Sequence, residues 1–419
     1  MNTALQRAMV LVEQGRLTEA EHFLREAIEL EPQNPRAFFL LACCLTKRPE
    51  TYREAERAIE EALRLRPNDP LIHCQRSSIL LLLNRPKDAL VVAREARRLD
   101  PGIVQPYAAE AAVMLALGRA REAESLARQA LAIDPEYEPA GNQLAHALRL
   151  QGKLIENERQ IRALLARNPE NERTHVAAGW SALQRGRVSE AEKHFFEALR
   201  LDPEADYARD GLLSAFRARS PLYRVYLYYC LNLQGMRRYF RWPFVLGLLL
   251  LSKAASGLFM GVYAPIGWGL LLLYVLFGLW VWVARSVGNL FLLFDRFARR
   301  ALLPAEKWEA CVVGGGVLIG LPMFVVGLCH HDVALLMGVT LLGSAFPMSL
   351  VFTNPSRIGR TLFMICGSLV YILGLIGLFC LASPFDVQDT LAATAFCAVI
   401  LVSVATTWLG NIPRLRRAW

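Results

Sequence analysis

The first 219 residues repeat apolar and polar positions with the period of amphipathic helices, whereas long unbroken apolar runs begin at Phe244. In the first part, each Ala-rich periodic stretch is followed by a proline, and successive prolines stand 34 or 35 residues apart. Proline lacks an amide N–H and clashes with the preceding turn, so each one ends a helix. The pattern predicts six helical hairpins, whose second helices end before Pro32, Pro67, Pro101, Pro135, Pro169 and Pro203.

Small residues recur at fixed distances before these prolines, where they let two helices approach closely. Alanine stands twelve residues before five prolines and five residues before the same ones, at Ala20, Ala55, Ala89, Ala123, Ala191, Ala27, Ala62, Ala96, Ala130 and Ala198. Four copies carry a glycine seventeen residues before the proline, where the backbone that ends a helix is often left-handed. The third copy has Asn84 there, and the fifth has Asn157 and Leu164 where alanine is usual.

This spacing resembles the tetratricopeptide repeat (TPR) family over residues 1–204. The resemblance implies an all-α fold in which hairpins stack into a right-handed superhelix. It also implies that the first helices line a groove that binds a peptide or helix of a partner protein. Residues 205–219 read as a further helix that caps the stack. The whole layout resembles bacterial multi-pass membrane proteins with TPR repeats, for which the family suggests no defined activity.

Transferring the family's groove positions to this sequence gives a mostly small and apolar lining: Leu5, Met9, Leu40, Leu41, Cys44, Cys74, Gln75, Ser78, Ala108, Ala109, Ala112, Asn142, Gln143, His146, Ala177 and Trp180. TPR domains that clamp a C-terminal carboxylate use Lys, Arg and Asn at places held here by Leu5, Met9, Leu41, Leu71 and Gln75. That ligand class is therefore not expected, and a partner helix or apolar extended segment fits better. The alternative is that this apolar lining packs against the array itself.

The rest of the chain carries six apolar runs of about 20 residues, the length that crosses the hydrocarbon core of a bilayer. Runs this long are helices, because only helices and closed barrels satisfy their backbone in lipid. We therefore predict a bundle of six transmembrane helices within residues 244–409, at Phe244–Tyr263, Ile266–Ala284, Ala310–Cys329, Val333–Phe352, Thr361–Ala382 and Leu391–Leu409.

Charge separates the two halves of the chain. Residues 1–219 carry 32 basic and 32 acidic side chains, whereas residues 220–419 carry 15 and 6. A neutral array argues against nucleic acid as a partner. With six spans, 14 of the 15 basic side chains fall on one side of the membrane and the opposite loops carry none. The positive-inside rule then places the array and the basic tail 410–419 on the cytoplasmic side. We expect the membrane to be a bacterial inner membrane.

Two segments are predicted to lie at the inner membrane surface. Residues 220–243 mix aromatic side chains with arginines, and Asn289–Leu302 places apolar side chains opposite charged ones at helical spacing. The second pattern is typical of an in-plane amphipathic helix. Anionic lipid is a candidate ligand of the basic residues, which are Arg224, Arg237, Arg238, Arg241, Arg296, Arg299 and Arg300.

Few residues carry a signal for chemistry. Lys253 is a charge inside the first predicted span, which makes it a functional candidate unless it snorkels to the interface. Gly316 and Gly320 form a G-x-x-x-G pair that favours close helix packing. The Cys329–Asp332 loop contains possible metal ligands, but its two adjacent histidines cannot easily both bind one ion. A fourth ligand is then missing, so a solvated loop is favoured. No cofactor, metal or catalytic motif is identified, and we do not predict an enzyme.

Two functions remain open from the sequence. The first is a membrane-anchored TPR scaffold that binds a protein partner at the cytoplasmic membrane face. The second is a transporter, channel or membrane enzyme regulated by its TPR half, for which Lys253 and the number of spans are the support.

Overall fold

The computed structural model describes residues 3–235, 280, 283–329, 332–354, 356–382 and 388–410. Every regular element in these ranges is helical, and none is a strand. The chain divides into two compact units, the first of which contains residues 1–185 and 197–203. The repeat helices are α1 (Thr3–Glu13), α2 (Leu17–Leu30), α3 (Pro35–Leu45), α4 (Tyr52–Leu65), α5 (Pro70–Leu82), α6 (Pro86–Leu99), α7 (Val104–Ala116), α8 (Ala120–Ile133), α9 (Glu138–Leu150), α10 (Leu154–Arg167), α11 (Glu172–Gln184) and α12 (Val188–Leu201).

In five of the six hairpins, the chain turns through one residue with a left-handed backbone. The angle φ is 73° at Gly118 and 57° at Asn84, which is the one non-glycine residue with positive φ in the described ranges. Asparagine tolerates this conformation because its short polar side chain makes local hydrogen bonds. The predicted turn position, including its replacement by Asn84, is therefore confirmed.

The alanines predicted at the helix crossings are at most 1% exposed. In the fifth hairpin Asn157 takes one of these positions and is equally buried. Its Nδ2 donates to the carbonyl of Ala145 at 2.6 Å, and its Oδ1 accepts from Ser181 Oγ at 2.5 Å. The irregular copy thus keeps a close crossing because the larger polar side chain has its hydrogen bonds satisfied inside it.

Two histidines, His73 and His175, hold loops between hairpins. In three repeats the proline carbonyl accepts a hydrogen bond from the side chain six residues later. The distances are 2.8, 3.1 and 2.9 Å in the pairs Pro67–His73, Pro101–Tyr107 and Pro169–His175. A carbonyl only accepts, so the bonded ring nitrogen of each histidine carries the proton.

The second unit contains residues 186–196, 204–230 and 243–419. The helix predicted over residues 205–219 is present, and we call it the capping helix. The described helices of this part are α13 (Asp206–Arg217, the capping helix), α14 (Pro221–Gly235), α15 (Val283–Phe294), α16 (Ala298–Ala301), α17 (Pro304–Glu309), α18 (Gly315–Gly327), α19 (Asp332–Thr353), α20 (Arg357–Ala382) and α21 (Gln388–Leu409). A π-helical turn, Ala310–Gly314, joins α17 to α18.

The single in-plane helix predicted over Asn289–Leu302 is instead two helices with a break at Asp295. The Asp295 carboxylate accepts the backbone N–H groups of Phe297 and Ala298, at 2.9 and 3.1 Å. A short acidic side chain that bonds to the backbone just ahead of it favours a turn over a continuing helix. The apolar period across residues 289–302 therefore did not reveal the change of direction.

A buried carboxylate ties the capping helix to residues 283–309, which we call the docking segment. Glu306 is 6% exposed and accepts from Arg209 Nη1 at 3.3 Å, Arg285 Nη2 at 2.9 Å and the Leu303 backbone at 2.9 Å. Nearby, Arg217 Nε donates to Asn289 Oδ1 at 2.8 Å. The Arg209–Glu306 and Arg217–Asn289 contacts link residues 97 and 72 positions apart in the sequence, and they fix the capping helix on the docking segment.

Three of the described helical stretches are long and apolar enough to cross a membrane: Pro304–Gly327, Asp332–Thr353 and Arg357–Leu381. The stretch Thr390–Thr406 is apolar but shorter. The predicted spans Phe244–Tyr263 and Ile266–Ala284 lie outside the described residues, apart from Trp280, Val283 and Ala284.

The glycine pair predicted to favour close packing lies against α19. A Cβ placed on Gly320 comes within 2.8 Å of Leu341 Cβ, and one on Gly316 within 3.9 Å of the Leu341 carbonyl oxygen. The absence of a side chain at Gly320 therefore permits the approach of the two helices.

We predict that Glu306→Gln lowers the apparent free energy of unfolding by about 1–3 kcal/mol, because it leaves two arginines without their shared carboxylate. Thermal unfolding of the full chain in detergent measures the change. Glu61→Gln is the matched control, since Glu61 pairs with Arg64 at the surface and its loss is expected to change little. Equal effects of the two substitutions would contradict a stabilising role of Glu306.

Candidate ligand-binding face

The first helices of successive repeats form one layer. Helix α1 contacts α3, α5 contacts α7, α7 contacts α9, and α9 contacts α11. Polar side chains join the last two of these helices: Thr174 Oγ1 donates to Asn142 Oδ1 at 3.0 Å, and Gln184 Nε2 donates to the Arg149 carbonyl at 3.5 Å. We call the surface that this layer presents the first-helix face.

The predicted groove residues divide by repeat. Leu5, Leu41 and Cys44 are buried in the hydrophobic core of the first two repeats, and Met9 and Leu40 pack against it. Ala108 is buried in a core cluster farther along. Partly accessible residues are Cys74, Gln75, Ala109, Ala112, Asn142, Gln143, Ala177 and Trp180, and Ser78 and His146 are exposed. The first repeats therefore use most of their apolar lining for self-packing, and the accessible part of the face lies in later repeats.

The cysteines of the array are poor nucleophiles. Burial raises the pKa of the thiol to about 12 in Cys43, about 11 in Cys44 and about 12 in Cys74. The thiolate is the reactive and metal-binding form of cysteine. At neutral pH these three side chains are therefore protonated and behave as small apolar groups.

Sequence reasoning missed Arg149, which is 7% exposed on α9. Its Nη1 atom is buried and has no hydrogen-bond partner, and neither does the buried Oε1 of Gln184 beside it. Asn142, His146 and Arg149 are spaced by four and three residues, so they lie on one side of the helix. This spacing extends the predicted groove stripe by one turn and could have indicated Arg149. The family positions that clamp a carboxylate, in contrast, fall in the first three repeats.

The electrostatics of this cluster depend on one cation. Burial lowers the pKa of Arg149 to about 10, which still leaves the guanidinium charged at neutral pH. Desolvation by the surrounding helices, and then the Arg149 charge, lower the pKa of His146, although the residue keeps an exposed surface. His146 is therefore neutral at physiological pH and offers one donor and one acceptor.

The predicted membrane-interface residues lie in different surroundings. Arg296, Arg299 and Arg300 are exposed, next to the exposed Phe291, Phe294 and Phe297. Arg224 instead donates to the carbonyls of Ala218 and Arg219, at 3.1 and 3.5 Å, where a cation stabilises the C-terminal end of a helix. Four predicted site residues lie outside the described ranges: Arg237, Arg238, Arg241 and Lys253.

Within the described part of the chain, no group of three or more His, Cys, Asp and Glu side chains is arranged to hold a metal ion. His330 and His331 of the loop considered for a metal lie outside this part.

Comparisons with known proteins find similarity in the N-terminal half. Two family models described as tetratricopeptide repeat match residues 11–76 and 142–206. The crystal structure of PilW, a widely conserved type IV pilus biogenesis factor, is 19% identical, with a TM-score of 0.40 over 51% of this chain and 100% of that chain. For pilF of Pseudomonas aeruginosa the identity is 16% and the TM-score 0.38, over 49% and 94%. For a thermophilic TPR protein of Thermus thermophilus they are 21% and 0.34, over 51% and 96%. A comparison with curated proteins found no match.

We predict that acidification from pH 7.5 to 5 destabilises the array through His146. A pKa below the unfolded value of about 6.5 means that the unfolded state binds the proton more readily, so the stabilisation is complete above pH 6.5 and falls below it. Because the ring retains solvent-accessible surface, we expect a modest effect. Thermal midpoints measured across this range should fall less in His146→Gln than in the wild type, and parallel curves would contradict the lowered pKa.

Proposed function

The N-terminal half of this chain is a tetratricopeptide-repeat array, and we propose that it is a membrane-anchored scaffold that binds a protein partner on the first-helix face. The observation that carries the proposal is the layer of first helices, in which α5, α7, α9 and α11 contact one another in turn and keep accessible side chains. Stacked repeats expose an extended surface of this kind for partner binding. The protonated cysteines of the array also favour binding over nucleophilic chemistry.

The surface of the apolar helices supports anchoring in a bilayer. Large apolar side chains that are at least half exposed occur along α18, α20 and α21, among them Leu318, Ile319, Ile372, Leu375, Phe379, Leu401 and Val404. Contiguous apolar surface of this extent is unfavourable in water and favourable against lipid tails. Six spans remain our proposal for the whole chain, with three supported by length and composition among the described helices.

The docking segment suits the inner membrane interface. Its exposed phenylalanines and arginines combine rings that enter the headgroup layer with cations that attract anionic lipid. The ion pairs of Glu306 hold the capping helix on this segment. We therefore propose that the docking segment and the capping helix lie at the cytoplasmic leaflet, and that the covalently attached array keeps a captured partner tethered to the membrane.

Photo-crosslinking in living cells tests the scaffold. A crosslinking amino acid at Ser78 or Trp180 on the first-helix face is expected to give discrete protein adducts. The matched controls are Val91 and Ile155, which are 71% and 79% exposed on the second helices α6 and α10. Adducts that are absent from Ser78 and Trp180, or identical at all four positions, would overturn binding on this face.

Cysteine labelling tests the topology. Cys329 is exposed at the end of α18, where six spans place it on the outer side of the membrane. In a variant that keeps Cys329 as its one cysteine, a membrane-impermeant maleimide is expected to label intact cells. A variant whose one cysteine is introduced by Ile155→Cys, at a position 79% exposed on α10, should be labelled only after lysis. The reverse pattern would contradict the proposed orientation.

A further inference from the structure

We infer that the first-helix face of the fifth and sixth repeats receives an acidic segment of the partner, with an Asp or Glu side-chain carboxylate bound by Arg149. This inference rests on the proposed scaffold function and specifies the chemistry of its ligand. The site consists of Arg149 and His146 on α9 and Gln184 on α11, which lie in the same compact unit.

Arg149 carries a buried positive charge. Its guanidinium is more than nine-tenths buried, and no carboxylate in the described part of the chain pairs with it. A buried ion without a counter-charge is strongly unfavourable, so folded proteins rarely retain one without a use for it. Planar guanidinium groups bind carboxylates through two parallel hydrogen bonds, which makes a carboxylate the matching ligand.

A buried carboxylate elsewhere in the array shows the contrast. Glu110 on α7 is 2% exposed; Arg94 Nε donates to its Oε1 at 3.1 Å, and Arg97 Nε forms an ion pair with its Oε2 at 2.9 Å. The buried amide of Asn157 is also satisfied, through Ala145 and Ser181. The charge of Glu110 is thus balanced by cations of the same chain. Arg149 lacks such a partner, which points to one from outside the chain.

The segment that directly follows the array does not offer the missing charge. No Asp or Glu occurs between Asp210 and Asp295. Residues 236–279, which lie outside the described ranges, therefore contain no side-chain carboxylate for Arg149. Neutral His146 adds no second positive charge, so the three side chains of the site together carry the single positive charge of Arg149.

The unpaired amide oxygen of Gln184 narrows the class of ligand. Its Nε2 donates to the Arg149 carbonyl, and its buried Oε1 needs a donor. An internal acidic residue of a peptide brings a carboxylate for Arg149 together with main-chain N–H groups on both sides. A free carboxylic acid lacks these N–H groups. We therefore assign a carboxylate carried by a peptide segment, and we take an internal Asp or Glu as the ligand to test.

The stability of one variant separates a binding role from a structural one. Arg149→Met removes the charge and keeps an apolar stem of similar length, so the thermal midpoint of the full chain in lipid nanodiscs should rise. Removing an unpaired buried charge stabilises, whereas removing a paired one destabilises. Arg97→Met, which breaks the Glu110 pair, is the matched control and should lower the midpoint. A fall with Arg149→Met would assign that residue to the fold and overturn the inference.

Binding is tested with a defined probe, an array of random 12-residue peptides with amidated C-termini, incubated with the full chain in nanodiscs. Peptides retained by the wild type should be enriched in internal Asp or Glu, and Arg149→Met should lose that enrichment. For the tightest peptide, Glu→Gln in the peptide and Arg149→Met should each weaken binding at least about tenfold. The double change should weaken it little further, because both remove one interaction.

Three other results have distinct meanings. Retained peptides without acidic residues, or equal retention by Arg149→Met, would overturn the carboxylate site while leaving the scaffold intact. Enrichment seen only on a second array with free C-termini would overturn the assignment to a side-chain carboxylate. Absence of retained peptides on both arrays would count against the scaffold itself, and against this inference with it.

Discussion

The repeat array depends on the close approach of its helices, and that approach depends on small side chains at the crossings. Interiors pack as densely as organic crystals, so a larger group at such a position must displace a neighbouring helix or find a shaped space. Ala123 and Ala130 of α8 meet this condition by being small. Asn157 meets it differently, because its amide replaces apolar contact with hydrogen bonds to two other helices. The first helices contact one another as a result, and the accessible face follows from that contact.

Buried charge imposes a second constraint, and the chain meets it in two places with internal pairs. Glu110 is held between two arginines within the array, and Glu306 between Arg209 and Arg285 in the second unit. A buried carboxylate with two cations tolerates desolvation because each oxygen lies beside a positive charge. At Glu306 this pairing also has a consequence for architecture, since it joins the capping helix to a segment far along the chain. Arg149 is the site where the same rule is not met internally.

Much of the array was predictable because its rules are local. The turn at Gly118, its replacement by Asn84 and the buried alanines follow from spacing and backbone geometry within one hairpin. The contact of Glu306 with Arg209 was not predictable, because no periodicity relates residues 97 positions apart. The break at Asp295 had a local signal, but the apolar period on both sides suggested one continuous helix. The burial of Arg149 depends on neighbouring helices. The sequence therefore indicated on which side of α9 it lies, but not that it is buried without a counter-charge in the described part of the chain.

The neutrality of the array gives the buried cation Arg149 a particular role. With 32 basic and 32 acidic side chains in residues 1–219, there is little long-range field to attract acidic molecules indiscriminately. Charges at the surface are screened by salt, whereas a guanidinium inside the protein acts in a lower dielectric and over a short distance. Recognition by Arg149 would then depend on a carboxylate that reaches the face in the right geometry, and not on the net charge of the partner. Such a site discriminates among partners at the point of contact, because a segment without the carboxylate leaves the buried charge unpaired.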